Sequence, residues 1–306
     1  MASKKFVALA VVTVVILAGI VGAVIILSTG NQNTAGDLVI MDDRGQNVTI
    51  PKYPQRIISL GTSFTEILFA IGADHQVVGV DKTSTYPSGA LSKANVGSFY
   101  TLNAENVTIL EPDCVITWTF ATNTISTLEG LGIPVIAYNP TSISDTMRVI
   151  ESIGNATGKS SAAVNLVNQM QDKVEAVTSK LTGINPEMRL KAYFELRNGK
   201  TVGPGALANE LISLAGGINI YGSNASKYPQ PSTEFIVASN PDVIIVENQS
   251  SKTNDDFVEW IGIGSGVNAV DQGKIYRING ALVTACPRVV DALEMFAQWF
   301  YPELFT

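Results

Sequence analysis

The side chains best suited to making and breaking bonds are scarce in this sequence. The single histidine, His75, lies in a loop beyond a helical stretch that opens at Ser63, and it reads either as a solvated loop residue or as a general base. A Ser-His-Asp site would have to use it. No Gly-x-Ser-x-Gly elbow supports that site, because Gly264-Ser265-Gly266 has Ile263 where glycine is required. The dinucleotide fingerprint fails at Gly262-Ile263-Gly264, where Val267 holds the third glycine position. Gly203-Pro204-Gly205-Ala206-Leu207-Ala208 fits only the loose G-x-G-x-x-A form, with proline in its turn, and is expected to be a tight turn opening a helix. One histidine and two separated cysteines, Cys114 and Cys286, cannot build an imidazole and thiolate cage for zinc or its neighbours. Cys114 falls in a strand-like run as a buried thiol, and a bridge to Cys286 stays open. The chemistry left is binding.

Aromatic and charged residues suit that purpose better. Phe99 and Tyr100 precede the phrase ENVTILEPDCVI; Trp118 and Phe120 stand at the carboxyl end of CVITW; Tyr228 precedes the related phrase EFIVASNPDVII. Ligands of open α/β sheets bind beyond the carboxyl ends of the strands, so these rings are placed to line a cleft. Core packing is the competing reading for Trp118 and Phe120. Arg197 and Arg288 are candidate cations for an anionic ligand, although Arg288 is also one turn from Asp291 and a helical pair would occupy it. Glu105 and Glu234 open the two related phrases near helix starts. Stabilisation by the helix dipole and a matched pair of docking charges are both open for them.

The elements that must hold these residues alternate strand and helix, the mark of an α/β chain with mostly parallel sheets. LVIMDDRGQNVTI reads as two short strands around a turn. The strands RIISL, VVGV, CVITW and PVIAYN follow, then KAYFEL, DVIIVEN and KIYRIN. Ser63 and Glu66 form a Ser-x-x-Glu capping pattern for the first helix. Between the two sets, Ala163, Val167, Met170, Val174, Val177 and Leu181 step by four and three, one amphipathic stripe about six turns long. The recurring phrase therefore marks the same helix–turn–strand unit in two lobes, residues 38–157 and 184–306, joined by one long helix over 158–183. A cleft between the lobes is expected.

With 46% hydrophobic residues the chain has ample material for two cores. Its 27 acidic against 20 basic residues argue against nucleic acid as a partner. Lys4 and Lys5 precede the uncharged run Phe6–Leu27, which as a helix would rise about 33 Å. Residues 1–27 are expected to be a retained signal-anchor with a cytoplasmic N-terminus, a cleaved signal with an unusually long core being the alternative, and 28–37 a polar tether. That makes a single-pass membrane protein with its bulk outside the cytoplasm. Sequons at Asn47, Asn106, Asn155, Asn224 and Asn248 are compatible with export.

Several motifs, in order, resemble the iron-siderophore and vitamin B12 class of ABC-transporter substrate-binding proteins. They are PQRIISLGTSFTEILFAIGADHQVVGVDKTSTYP, VGSFYTLNAENVTILEPDCVI, TVGPGALANELISLAGGINI and GKIYRINGALVTACPRVVDALE, covering the chain from about Asp37 onward. The resemblance implies two α/β lobes bridged by a single long helix, no cofactor, no catalysis, and a bulky metal chelate as ligand: a ferric siderophore, haem or a corrinoid. It places the class's two permease-docking glutamates on Glu105 and Glu234, and thereby implies a permease dimer with its ATPase subunits as partner. Cleft aromatics of corrinoid-binding members fall on Phe99, Trp118 and Tyr228. Gly280-Ala281-Leu282-Val283 departs from those members, which carry charged and aromatic residues there. A corrinoid-specific receptor is one alternative. An anchored α/β hydrolase is another, and its mark would be a serine within hydrogen-bond reach of His75. A free-metal receptor would need several carboxylates converging in the cleft.

Overall fold

The computed structural model describes residues 36–250, 252–262 and 266–306. The expected anchor, all but the end of the tether, and Gly264 and Ser265 lie outside them. Among the described residues no helix is long and apolar enough to cross a membrane. Residues Val39–Thr306 form one compact unit built on two separate sheets.

The first sheet contains Ile57–Ser59 (β3), Val77–Val80 (β4), Ala94–Asn95 (β5), Cys114–Trp118 (β6) and Val135–Tyr138 (β7). Their order is β5-β4-β3-β6-β7, with every pair parallel. The second contains Lys191–Glu195 (β8), Ile218–Asn219 (β9), Val243–Glu247 (β10) and Ile275–Ile278 (β11), in the order β11-β10-β8-β9 and again all parallel. Uninterrupted apolar runs such as VIIV at 243–246 suit strands covered by helices on both faces. Each sheet has its own core, one around Ile58, Val115 and Leu128, the other around Tyr193, Ile244 and Phe257. Strands β5 and β9 escape sequence reading because two residues show no period.

Thr62–Ala70 (α1), Ala104–Ile109 (α2), Thr122–Gly130 (α3) and Ile143–Thr157 (α4) serve the first sheet. Ser160–Lys180 (α5) follows, and Leu207–Leu214 (α6), Thr233–Ser239 (α7), Asn254–Ile261 (α8), Asn268–Asp271 (α9) and Val289–Phe300 (α10) serve the second. Left-handed Gly158 ends α4 and turns the chain into α5. Helix α5 is about 31 Å long and packs on both α4 and α10. It buries Ala163, Val167, Met170, Val177 and Leu181 of the expected stripe, while Val174 is half-buried. Lys173 ties it to α10 through Asp291 at 2.7 Å and Glu294 at 2.9 Å.

Asp37–Met41 (β1) and Asn47–Pro51 (β2) form the small third sheet. The turn between them covers β7, the edge of the first large sheet: Asp43 N–H donates to Ala137 O at 3.0 Å, and Arg44 donates to Val135 O at 2.8 Å and pairs with Glu129. An open sheet edge is thereby closed.

One sequence expectation is corrected and one open alternative is closed. The Ser63-x-x-Glu66 pattern is not a cap, because α1 begins at Thr62 behind Gly61 with no side-chain cap. Ser63 is buried with its Oγ unpartnered, and Glu66 turns toward the other sheet. Cys114 and Cys286 are free, and burial pushes each thiol up to about 12.

The recurring phrase has one structural job in both halves. Glu111 and Asn240 adopt φ of 40° and 48°, each before a Pro-Asp. Asp113 then accepts the N–H groups of Gln55 and Arg56 at 2.6 and 2.9 Å, and Asp242 accepts that of Lys191 at 2.8 Å. Each aspartate clips the neighbouring strand's start to its own. Asp113→Ala and Asp242→Ala should each lower unfolding free energy by about 1–2 kcal/mol in urea titrations. Their effects should add, because the sites share no partner; a double variant no worse than one single would contradict independent clips.

Candidate functional site

The strands of both sheets direct their carboxyl ends toward the same region. Helix α1 starts just past β3 and α10 starts just past the loop after β11, and their first turns meet. Arg288 Nε and Nη2 donate to Glu66 Oε1 and Oε2 at 2.8 and 2.7 Å, a two-pronged pair with side chains 24% and 8% exposed. Tyr86, from the loop after β4, lies under the guanidinium at 3.6 Å. Glu66 holds Arg288 charged, its pKa raised by that bond. On the helical side of the molecule, Glu210 of α6 accepts the Ile143 N–H of α4 at 2.8 Å. These contacts set the two sheets relative to one another.

A ladder of rings lines the first sheet's end. Tyr100 and Phe99 are 4.4 Å apart, Phe99 meets Phe120 edge-on at 5.8 Å, and Phe120 stacks on Trp118 at 5.5 Å and 18°. Trp118 in turn touches buried Phe64 at 4.6 Å. The ladder runs from the core to solvent: Phe64 is fully buried, Trp118 and Phe99 half-buried, Phe120 50% and Tyr100 72% exposed. Gly61 makes the inner rung possible. Its φ is 135°, and a Cβ there would lie 2.5 Å from Trp118 Nε1. The Phe99 turn is held by Thr124, which donates to Phe99 O at 2.8 Å, and by Ser98 Oγ, which accepts from Thr101 N–H at 3.0 Å.

The second sheet's end is polar. Tyr228, 44% exposed, sits on the strap leading into α7. Burial first, then the charge of Glu247, raises its pKa. Arg197 is exposed, its N–H donates to Glu247 Oε2 at 2.7 Å, and its guanidinium forms no salt bridge among the described residues. Buried Glu195 is satisfied by Tyr193 Oη at 3.0 Å, Lys252 Nζ at 3.1 Å and Ser250 Oγ at 3.4 Å.

The structure thus joins Phe99, Tyr100 and Trp118 in one surface and leaves Arg197 outside any ion pair. Arg288 takes neither of its two readings, a free cation or a helical pair with Asp291: Asp291 binds Lys173, and Arg288 binds Glu66. The half-exposed ring of Phe120 belongs to the same surface, and its aromatic type two residues after Trp118 was the signal for it. Glu66 and Tyr86 carried no comparable signal, since their role depends on a residue 200 positions or more along the chain. Glu105 and Glu234 are exposed, each the second residue of its helix, α2 and α7. A hydrogen bond from Ser232 lowers the pKa of Glu234. His75 is exposed at the amino end of β4, away from the strands' carboxyl ends, and no serine hydrogen-bonds it among the described residues. Among those residues no group of three or more His, Cys, Asp or Glu is placed to hold a metal ion. A separate cavity of about 350 Å³ between α4, α5 and α6, lined by Ile143, Met147, Val174 and Leu214, contains none of the rings.

Two parallel-stranded α/β halves whose strand ends meet, with rings on one side and polar groups on the other, define a binding protein. Residues 57–282 match the model of the periplasmic binding protein family, and the chain belongs to that family. It is 31% identical to the ABC transporter substrate-binding lipoprotein YvrC of Bacillus subtilis (strain 168), over 91% of this chain and 90% of that one. It is 28% identical to a cobalamin-binding protein of Halobacterium salinarum (strain R1), over 83% and 71% of the two chains. The periplasmic haem-binding protein RhuT from Roseiflexus sp. RS-1 superposes with a TM-score of 0.73 at 26% identity, over 82% of this chain and 99% of that one. These relatives are binding proteins, not enzymes, and the hydrolase alternative falls with that finding.

The Glu66–Arg288 pair gives a quantitative expectation. Glu66→Ala or Arg288→Ala alone strands a largely desolvated partner and should cost about 2–3 kcal/mol. The pair Glu66→Leu with Arg288→Met should recover most of that in urea unfolding, whereas strictly additive losses would show that the two residues do not couple.

Proposed function

We propose that the protein is the substrate-binding component of an ABC importer, held at the outer face of the membrane through its Phe6–Leu27 segment. It captures a bulky metal chelate, with a neutral corrinoid the best-supported ligand, and delivers it to the permease. The ring ladder from Trp118 to Tyr100 carries this reading. Exposed rings on a rigid sheet end offer stacking area with little conformational entropy to lose, which suits a large, flat, partly apolar guest. Haem propionates and ferric catecholates are anionic and call for several cations. Of the two arginines at the site, only Arg197 stands outside an ion pair among the described residues. The cobalamin-binding name of the Halobacterium relative points the same way.

In this reading Phe99, Trp118 and Phe120 stack on the guest from one side, and Tyr228 and Arg197 hold its polar rim from the other. Glu105 and Glu234 present one carboxylate per half to the two permease subunits. Support for that role comes from their matched positions on α2 and α7, exposed and one turn or less from the Pro-Asp clip's helix start. Limited closure is expected, because α5 packs on elements of both halves and the Glu66–Arg288 pair already joins them.

Tryptophan-fluorescence titration of residues 37–306 against cobalamin, haem and a ferric hydroxamate tests the ligand class; saturable binding of haem alone would overturn the corrinoid reading. Phe120→Ala and Trp118→Ala should weaken chelate binding by roughly tenfold or more. Phe120 is the cleaner test because its exposure spares the fold. The combined Glu105→Ala and Glu234→Ala variant should keep ligand affinity and lose stimulation of the transporter's ATPase, and lost ligand affinity would remove the docking role.

A further inference from the structure

We propose that Glu247 is a specificity-determining residue: a buried acceptor that selects guests presenting a hydrogen-bond donor, such as an amide, hydroxyl or ammonium, and rejects those presenting a carboxylate at that point. This rests on the ligand-binding reading above.

Glu247 ends β10, whose five residues VIIVE are all buried, and is itself only 7% exposed. A carboxylate taken out of water is costly unless its oxygens are bonded. Glu195, on the adjacent strand, meets that requirement with a lysine and two hydroxyls. Glu247 does not. Its Oε2 accepts the Arg197 N–H at 2.7 Å, and its Oε1 accepts no hydrogen bond among the described residues. Burial accordingly raises its pKa, against the smaller opposing effect of the Arg197 contact.

The neighbouring geometry leaves that oxygen reachable. Position 280 is glycine, and a Cβ there would lie 3.0 Å from Glu247 Oε1 and 3.1 Å from its Cδ. The half-buried backbone of Gly280 thus stands where a side chain would crowd the carboxyl group. Tyr228 is close enough to be raised by the Glu247 charge. Gln249 Oε1 accepts the Gly280 N–H at 3.3 Å and its Nε2 donates to Asn279 Oδ1 at 3.3 Å, which fixes the Gly280 loop beside the carboxyl group. All of these residues follow the carboxyl ends of the second sheet, opposite in character to the ring ladder. A carboxylate brought here would face Glu247 with like charge. A donor would supply the bond that Oε1 lacks, and a site built for a donor discriminates strongly against a group that cannot give one.

The test uses the full chain in detergent and three matched pairs of probes. These are cobalamin and a corrinoid monocarboxylic acid with one side-chain amide hydrolysed; ferrioxamine B, with its free ammonium, and its succinylated form; and haem dimethyl ester and haem. In whichever class binds, wild type should prefer the donor-bearing or uncharged member by about tenfold or more, and Glu247→Gln should cut that preference to about threefold or less. Glutamine keeps an acceptor for Arg197, so an unchanged thermal midpoint is expected. Gly280→Ala should weaken binding of the preferred member by crowding Oε1. Equal wild-type affinity within the pair, or an undiminished preference in Glu247→Gln, overturns the proposal. The class that binds judges the corrinoid reading and the ratio within it judges Glu247, so the two fail separately; binding of none of the pairs overturns both.

Discussion

Two sheets that share no strand can form one binding site only if something fixes their ends together, and here that task falls to the ion pair of Glu66 and Arg288. Its two nearly parallel hydrogen bonds match the planar guanidinium to the carboxylate. Tyr86 closes one face of the guanidinium. Because both partners are largely withdrawn from water, the pair contributes orientation more surely than stability. Helix α5 sets the spacing on the opposite side, where Lys173 and the apolar stripe hold it to α10 and α4. The strand ends are left as the place where the two halves confront each other.

Charge is distributed unevenly across that place. The first half presents rings graded from buried Phe64 to exposed Tyr100. The second half presents hydroxyls, amides and carboxylates, with Glu195 neutralised and Glu247 not. In the proposed reading the guest is apolar on one side and rich in hydrogen-bonding groups on the other, with the exposed Arg197 as the cation at its polar rim. This asymmetry, more than any single residue, is what the proposed reading of a large neutral chelate rests on.

The internal repeat is physical as well as textual. A short helix, a left-handed residue, Pro, and an aspartate that clips the next strand occur once in each half. The same unit places Glu105 and Glu234 in equivalent, exposed positions on its helix. One folding device therefore yields both the strand register and a matched pair of surface charges.

The sequence by itself determined the α/β alternation, the seven principal strands, the long helix and the recurring helix–turn–strand unit. Each is a local pattern whose period or punctuation lies within a few neighbouring residues. It also placed Trp118 and Phe120 at the carboxyl end of a strand and Phe99 and Tyr228 just before the two recurring phrases, since position in a strand–loop–helix order is itself local. The two-residue strands β5 and β9 were too short to carry a period. Only the tertiary structure decided that Ser63 and Glu66 do not cap α1, that Arg288 reaches Glu66 and not Asp291, and that Glu247 is buried beside Arg197 and Gly280. The last two join residues from different strand ends. A partner brought near by folding, far along the chain, leaves no trace in the spacing of its neighbours.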